Sequence, residues 1–412
     1  MKKVNLKRFI LILVLIFSLL VTTTIAGCAP LFYYGNLFDS NDTGDSGDSG
    51  DGSSDSNSSN IAEVRTLSES IQILEDNDIT VNSVDNQDGP YTVAEVAQKV
   101  SDSIVNITVT TSGGVSAGSG VLFATDDEKY YVITNNHVIE GGTKVVCELT
   151  DRTQKTAAVV ASDASTDIGI ITITKTGIDG TKYKTVTIPN DEYQVRVGDT
   201  AIAIGNSLGE LGGTVTSGIV SALDRQMTVE GNSMFLMQTD TAINQGNSGG
   251  GLFDAHAQLI GIVNAKIMST GIEGLGFAIP VKVAVATACD LITKGYVSGR
   301  PAIGVMIREL NSKAKINEYL ASLEGEELTA WSAYFNSTNK ALGLYVAGVT
   351  NTASGLEVGD YVMSFGNRNV ITQNELSAEL AKKKIGDNVI ITVKRNGQTK
   401  SLSVALIEKT AS

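Results

Sequence analysis

From residue 91 onward the chain breaks into short β-branched runs separated by Gly, Asn and Asp turns, and this texture constrains the fold more than any other feature. The runs are 104–110 (IVNITVT), 119–124, 130–134, 144–149, 156–161, 168–173 (IGIITI), 200–204, 215–223, 233–238, 258–264 and 275–279. Many short strands at this spacing, without intervening helices, predict an all-β barrel or sandwich rather than βαβ units. Residues 281–294 (VKVAVATACDLITK) predict one helix that closes the region, with Gly295 as its stop. A second unit follows Arg300. It ends in the runs 388–394 and 400–406, joined by a turn whose Asn396-Gly397 pair signals a hairpin. Residues 378–384 read as helical, and the polar, helix-prone stretch 311–341 reads as an insertion. The expected organisation is therefore an export or anchor segment (1–28), a linker (29–90) with one possible short helix at 61–74, an all-β domain (91–295) and a smaller domain (296–412).

Three words inside the all-β region carry chemistry: Thr134-Asn135-Asn136-His137-Val138, then Ser165-Thr166-Asp167-Ile168-Gly169, then Gln245-Gly246-Asn247-Ser248-Gly249-Gly250. A serine hydroxyl is a weak nucleophile at neutral pH and needs a base to take its proton. Imidazole, with an ordinary pKa of about 6.5, suits that task, and a carboxylate on its far nitrogen fixes the tautomer. The chain has only two histidines. His137 follows a β-branched run that would present it at a strand end, whereas His256 falls in a turn. Two carboxylates compete as the third member; Asp167, abutting the run 168–173, is favoured over Asp163, which lies further back in the turn. Glycines around Ser248 let the backbone bend, so that N–H groups of Gly246 and Ser248 can converge on an oxyanion, with Asn247 grouped with them.

The order His–Asp–Ser and the words around it resemble the HtrA (DegP-like) branch of chymotrypsin-like serine proteases. Gly118-Ser119-Gly120-Val121, Ile204-Gly205-Asn206, Gly218-Ile219-Val220-Ser221, Thr239–Asn244 and Gly276-Phe277-Ala278-Ile279-Pro280 fall in the family's order with the three catalytic words. The resemblance implies two six-stranded β-barrels with the triad in the cleft between them. It also implies a primary pocket with Ala242 at its base and Ile243 and Leu275 nearby, accepting small aliphatic side chains. Gly251 and Ser207 stand where the family usually has Pro. Both substitutions remove backbone stiffening and suggest a loop that orders on activation. Residues 300–407 resemble the PDZ domain that follows such proteases, with Ile303, Gly304 and Val305 as the loop that would take a peptide C-terminus. The activity implied by the resemblance is hydrolysis of misfolded or mislocalised proteins in stress and quality control, by a homotrimer. The alternative is a chaperone-like or peptide-binding protein in which proteolysis is secondary. The short stretch between Val121 and Tyr130 leaves little for a loop that would bridge trimers into cages.

The N-terminus predicts where this would happen. Lys2, Lys3, Lys7 and Arg8 precede an apolar run from Phe9 to Val21, the pattern of an export signal. Ile25-Ala26-Gly27-Cys28 resembles a bacterial lipobox and would make Cys28 a lipidation site; a plain single-pass anchor is the other reading. Either places the chain on the outer face of the bacterial cell membrane. Residues 39–58 carry Asp but no base and read as an extended spacer. The net charge of −14 argues against nucleic-acid binding. Cys147 and Cys289 could pair or serve as buried thiols. No Cys/His spacing suggests a metal, and no cofactor is expected.

Overall fold

The computed structural model describes residues 65–83, 88–205, 213–229, 232–267, 275–321, 323–338 and 343–410. The apolar N-terminal run, Cys28, the acidic spacer and Ser207 lie outside these residues.

Among the described residues, twelve strands build two closed antiparallel barrels. The first contains β2 (Ile104–Thr111), β3 (Gly114–Thr125), β4 (Lys129–Thr134), β5 (Gly142–Glu148), β6 (Gln154–Asp163) and β7 (Ile168–Thr174) in the order β3-β2-β5-β6-β7-β4, closed by β3 against β4. The second contains β8 (Thr200–Gly205), β9 (Thr214–Val229), β10 (Asn232–Thr239), β11 (Gly251–Phe253), β12 (Leu259–Val263) and β13 (Gly276–Pro280) in the order β10-β13-β12-β11-β8-β9. β3 and β9 are the long strands, each bridging two neighbours in succession, and this allows six strands to close. Closure also removes the free edges that would otherwise invite pairing with other chains. Eleven of the twelve strands coincide with the sequence expectation. β11 escapes it because three residues behind a glycine run carry no alternation to detect.

Each barrel has its own core. Val105, Ile107, Leu122, Val132 and Ile171 fill the first; Ala203, Val220, Leu252, Ile260 and Ala278 fill the second. A larger cluster spans the space between the barrels. It is completed by a C-terminal helix and by an N-terminal arm drawn from the expected linker. Among the described residues, 65–81 already pack into this body, within the segment expected as linker. Helix α1 (Leu67–Glu75) opens with a capping box between Thr66 and Glu69 and buries Leu67, Ser70, Ile71 and Leu74, one face at helical spacing. β1 (Thr80–Val81) then adds to β3, pairing Thr80 with Thr125 and Val81 with Ala124. A second capped helix, α2 (Val93–Val100), leads into β2. Polar residues dominate this stretch, but the possible short helix read at 61–74 overlaps α1, whose few apolar residues share one face that packing stabilises.

The single helical turn α3 (Asn136–Ile139) belongs to the first barrel. The closing helix α4 (Val281–Lys294) matches its expected bounds and ends at Gly295, which takes φ +80°. Arg65 and Lys294 both reach Asp290 of α4, which also accepts from the backbone N–H and hydroxyl of Ser298. The arm and the segment leading to the second domain thus share one buried carboxylate. Cys147 and Cys289 are unbridged and lie in different cores. Burial pushes the Cys147 thiol up to about 12.

The second domain is the expected α+β PDZ arrangement. β14 (Pro301–Ala302) pairs with the last strand, β21 (Ile407–Glu408). The main sheet runs β15 (Val305–Glu309), β16 (Leu344–Val349), β17 (Tyr361–Phe365), β19 (Asn388–Arg395), β20 (Gln398–Ala405), with β18 (Arg368–Asn369) beside β17. Asn396 and Gly397 both take positive φ in the β19–β20 turn, as the hairpin signal required. The insertion forms α5 (Lys313–Ala321) and α6 (Gly325–Thr338). Tyr319 and Trp331 from it pack against Tyr361 and Tyr345 of the sheet. The domain's own helix, α7 (Gln373–Leu380), begins earlier than the expected 378–384, because Thr372 and Glu375 form a capping box ahead of that stretch.

Candidate active site

Each barrel contributes to one cluster at their junction. β4 runs directly into α3, where Asn135 follows the strand and His137 sits on the first turn. The β6–β7 turn ends at Asp167, and the turn from Gln245 to Gly250 delivers Ser248 immediately before β11. His137 Nδ1 lies 2.7 Å from Asp167 Oδ2, and His137 Nε2 lies 3.0 Å from Ser248 Oγ. The first contact places the ring proton on Nδ1 and leaves the Nε2 lone pair facing the hydroxyl. Such a set can take a proton from an attacking hydroxyl and return it to a leaving group. Ser248 is only 3% exposed, whereas the His137 side chain is 19% exposed, so the base forms the open wall of the site.

Asp167 is fixed from several directions. Its Oδ1 accepts from the His137 backbone N–H at 3.0 Å, and its carbonyl accepts from Asn136 N–H and the Asn135 amide, both at 3.1 Å. Its φ is +55°, a left-handed value that a non-glycine residue holds only where neighbours over-determine it. One partner was not foreseen from the sequence. Asn264, just past β12, donates from Nδ2 to Asp167 Oδ2 at 2.9 Å, so the second barrel contributes to orienting the acid. The next residue, Ala265, donates its N–H to Ser248 Oγ at 3.1 Å. Neither has a sequence signal of its own, since an Asn after an apolar strand reads as an ordinary turn residue.

Asp163, the competing carboxylate, does something else. Its Oδ2 accepts from the Thr166 N–H and hydroxyl at 2.8 and 2.7 Å, and its Oδ1 accepts from Arg300 Nη1 at 2.6 Å. Burial alone would raise its pKa. The Arg300 charge and hydrogen bond, with those from Thr166, outweigh that and hold it below the ordinary carboxylate range. His256 lies in the β11–β12 turn, as expected, with its ring nitrogen 2.8 Å from the Asp88 carbonyl.

The nucleophile turn depends on glycine. Gly249 takes φ +81°, and a Cβ there would stand 2.2 Å from Ser119 O and 2.3 Å from Thr134 Oγ1. A Cβ at Gly250 would meet Ile204 O at 2.4 Å. β3 presses on this turn: Ser119 N–H donates to Ser248 O and Ser119 Oγ to Gly246 O, both at 2.8 Å. Asn247 departs from the oxyanion grouping, because its N–H is committed to Asn244 O at 2.9 Å inside the turn. Gly251 also departs from expectation. It is the first residue of β11, buried and registered between Ile204 and Ile262, so the missing proline leaves no loose loop at that position.

Of the three pocket residues, Ala242 is exposed and Leu275 half-buried. Ile243 turns into the second barrel's core against Gly276, where a Cβ would meet its Cγ1 at 2.6 Å. In the second domain, Gly304 takes φ +76° between buried Ile303 and the start of β15. Its carbonyl accepts from Thr350 and Asn351 N–H. β15 is an edge strand, and Gln373 Nε2 of α7 donates to its Ile307 carbonyl at 2.7 Å. Among the described residues no group of metal-ligating side chains occurs, and no helix is long and apolar enough to cross a membrane.

A model of the trypsin-like peptidase domain matches residues 118–262, and a PDZ domain model matches 301–406. "Serine protease Do-like HtrB" of Bacillus subtilis (strain 168) is 36% identical over 305 residues, 71% of this chain and 63% of its own length. "Serine protease Do-like HtrA" of Lactobacillus helveticus is 35% identical over 302 residues, 71% of this chain and 68% of its own length. The chain spans just under two thirds of the length of the Bacillus subtilis relatives it matches. Among solved structures, the HtrA-type protease AlgW with tripeptide aligns over 78% of this chain and 98% of that chain at 31% identity, with a TM-score of 0.48.

Proposed function

The chain belongs to the family of Do-like HtrA serine proteases, and from that premise we propose that it is a serine endopeptidase, exported and tethered outside the cytoplasmic membrane, that hydrolyses unfolded or mislocalised proteins. The observation that carries this reading is the pair of contacts made by His137, 3.0 Å to Ser248 Oγ and 2.7 Å to Asp167 Oδ2.

Ser248 Oγ attacks the scissile carbonyl as His137 Nε2 takes its proton. The imidazolium is stabilised by Asp167, itself held by Asn264. Backbone N–H groups of Gly246 and Ser248 receive the developing oxyanion. Collapse of the tetrahedral intermediate breaks the C–N bond, the departing amine takes the proton from His137, and an acyl group remains on Ser248. Water, deprotonated by His137, then attacks the acyl carbon, the bond to Ser248 Oγ breaks, and Ser248 Oγ takes the proton back from His137. The uncharged Ala242 side chain favours small aliphatic residues over Lys or Arg in the primary pocket. The loop Ile303-Gly304-Val305 and the edge of β15 suit a peptide C-terminus added as a strand; its entry would have to displace Gln373 from Ile307. A homotrimer and lipidation at Cys28 complete the proposal.

Degradation of casein by the purified protein, lost in Ser248→Ala, tests the nucleophile. Substrate protection that persists undiminished in Ser248→Ala, without any cleavage by the unsubstituted protein, would favour the chaperone-like alternative. Sequencing the cleavage products reads the pocket, and mass analysis of the mature N-terminus separates a lipidated Cys28 from an uncleaved anchor.

A further inference from the structure

A second recess lies at the end of the first barrel remote from the triad. β4 and β7 carry Thr134 and Ile168 toward the reacting groups, and near their opposite ends Tyr130 and Lys175 open onto a cavity of about 420 Å³. A strand rises about 3.4 Å per residue, so the length of β7 sets this cavity roughly 20 Å from the acid turn. Its other walls are Ile178, Tyr183, Lys184 and Thr185 from the connection after β7, with Thr125 at the end of β3 and Asn82 of the arm. Several of these groups are already committed. Tyr130 donates its hydroxyl to Tyr183 O at 2.8 Å, and Tyr183 OH accepts from Asp151 N–H at 3.1 Å, so both rings serve as wall. The carboxylates next in sequence to the lining are spent likewise. Asp126 accepts from the Glu128 and Lys129 N–H groups and from Tyr131 OH, and Asp179 from the N–H and hydroxyl of Thr181. The cations are not. Lys175 Nζ donates to the neutral carbonyl of Asp126 and stands 5.3 Å from the Tyr130 ring centroid. Lys184 is exposed, and among the described residues its ammonium joins no ion pair or hydrogen bond; nor does the hydroxyl of half-buried Thr185 beside it.

We propose that this cavity binds a small organic anion, a phosphate or carboxylate head carried on an aromatic or aliphatic body. The head sits among Lys184, Lys175 and Thr185, where the ammonium groups act as point charges and the hydroxyl adds one directed donor. The body lies against Tyr183, Tyr130 and Ile178. A cavity of this size is that of a small-molecule site, and a bare inorganic ion would leave most of it to water. Its position gives binding a consequence. Asn82 follows β1, whose Thr80 and Val81 pair with Thr125 and Ala124, and its carbonyl accepts from Ile188 N–H at 2.9 Å. A ligand seated there touches both the N-terminal arm and the barrel, and so holds the arm in place by mass action. The inference does not depend on Ser248, His137 and Asp167 being the reacting set.

The test uses the full chain with Ser248→Ala, to prevent self-digestion, and four probes: phenyl phosphate, benzoate, inorganic phosphate and phenol. Calorimetric titration should give one saturable site for phenyl phosphate or benzoate, the tighter of the two identifying the head. Inorganic phosphate and phenol, each lacking half of the ligand, should bind about ten-fold more weakly or not at all. Adding Lys184→Met, at an exposed position, should weaken the organic anion about ten-fold, and Thr185→Val about three-fold. Hydrogen exchange at Ile188 N–H, which reports the hold between arm and connection, should slow at saturation with the organic anion. No saturable binding of either organic anion below about 10 mM overturns the proposal. So does binding that Lys184→Met and Thr185→Val both leave unchanged. Phenol or inorganic phosphate binding as tightly as the organic anions overturns it as well, since ring or charge alone would then suffice.

Discussion

The two turns that meet at the site are built on opposite principles. The nucleophile turn, 245–250, is held by close backbone approach: glycines without side chains let it press against β3, and backbone groups of Ser119, Val263 and Asn247 take its hydrogen bonds. The acid turn, 163–167, is held by side chains: a buried carboxylate, a threonine, an arginine from another domain and an asparagine from the other barrel. A turn made by steric exclusion tolerates no added atom but is indifferent to charge. A turn made by polar side chains tolerates atoms of similar shape but depends on every partner being present and correctly charged.

This contrast can be broken by substitution. The largest effect is expected at Gly249→Ala, where the added carbon cannot fit 2.2 Å from Ser119 O and the backbone must leave its left-handed well. A loss of roughly 2–4 kcal/mol in denaturant unfolding, with hydrolysis reduced to the level of Ser248→Ala, is the expected outcome. Asn264→Ala should come next. It removes the Asp167 contact from the second barrel, lowering kcat about ten-fold with little change in KM, while Asn264→Ser should recover part of the activity. Ser119→Ala removes the hydroxyl bond to Gly246 O but leaves the backbone contact to Ser248, so a stability loss of about 1 kcal/mol and a few-fold fall in kcat are expected.

The smallest effect is one of pH. The folded pKa of Asp163 is depressed, so its contribution to stability is fully present above the ordinary carboxylate value of about 3.9 and is lost as pH falls through the lower folded value. Thermal unfolding of the unsubstituted protein and Asp163→Asn should therefore differ by a constant amount from about pH 5 to 7 and converge in more acid solution, a pH range set by the carboxylate reference value. A difference that grew toward low pH would contradict the assigned role. Unfolding of Gly249→Ala relative to the same reference should show no such convergence, since no charge is involved.

Much of this is legible in the sequence. Ser248, His137 and Asp167 stand in words whose chemistry is local, and eleven of twelve barrel strands announce themselves by β-branched runs. The elements that escape detection do so for identifiable reasons. In the stretch that reads as linker, a possible short helix at 61–74 is legible and α1 overlaps it, but its packing against the barrels is not, because polar composition outweighs a few apolar residues whose common face appears only once the helix forms. β11 is too short to alternate. Thr372-x-x-Glu375 is present as a capping signal but lies outside the segment that reads as helical. Asn264 carries no motif, and Arg300, which opens a segment resembling the start of a PDZ domain, carries no signal of its pairing with Asp163, because the partners lie 97 and 137 residues away.

The sequence by itself determined the candidates: a serine and a histidine as nucleophile and base, where glycine must stand, and all but one of the short strands that close the barrels. Those properties reside in single residues or in spacings of a few positions, and local geometry enforces them. Only the tertiary structure set Asp167 against His137 and Asp163 against Thr166 and Arg300, and brought Asn264 to the first of them. Hydrogen bonding and charge pairing act over about 3 Å of space regardless of separation along the chain, so the partners of two carboxylates four residues apart belong to the fold.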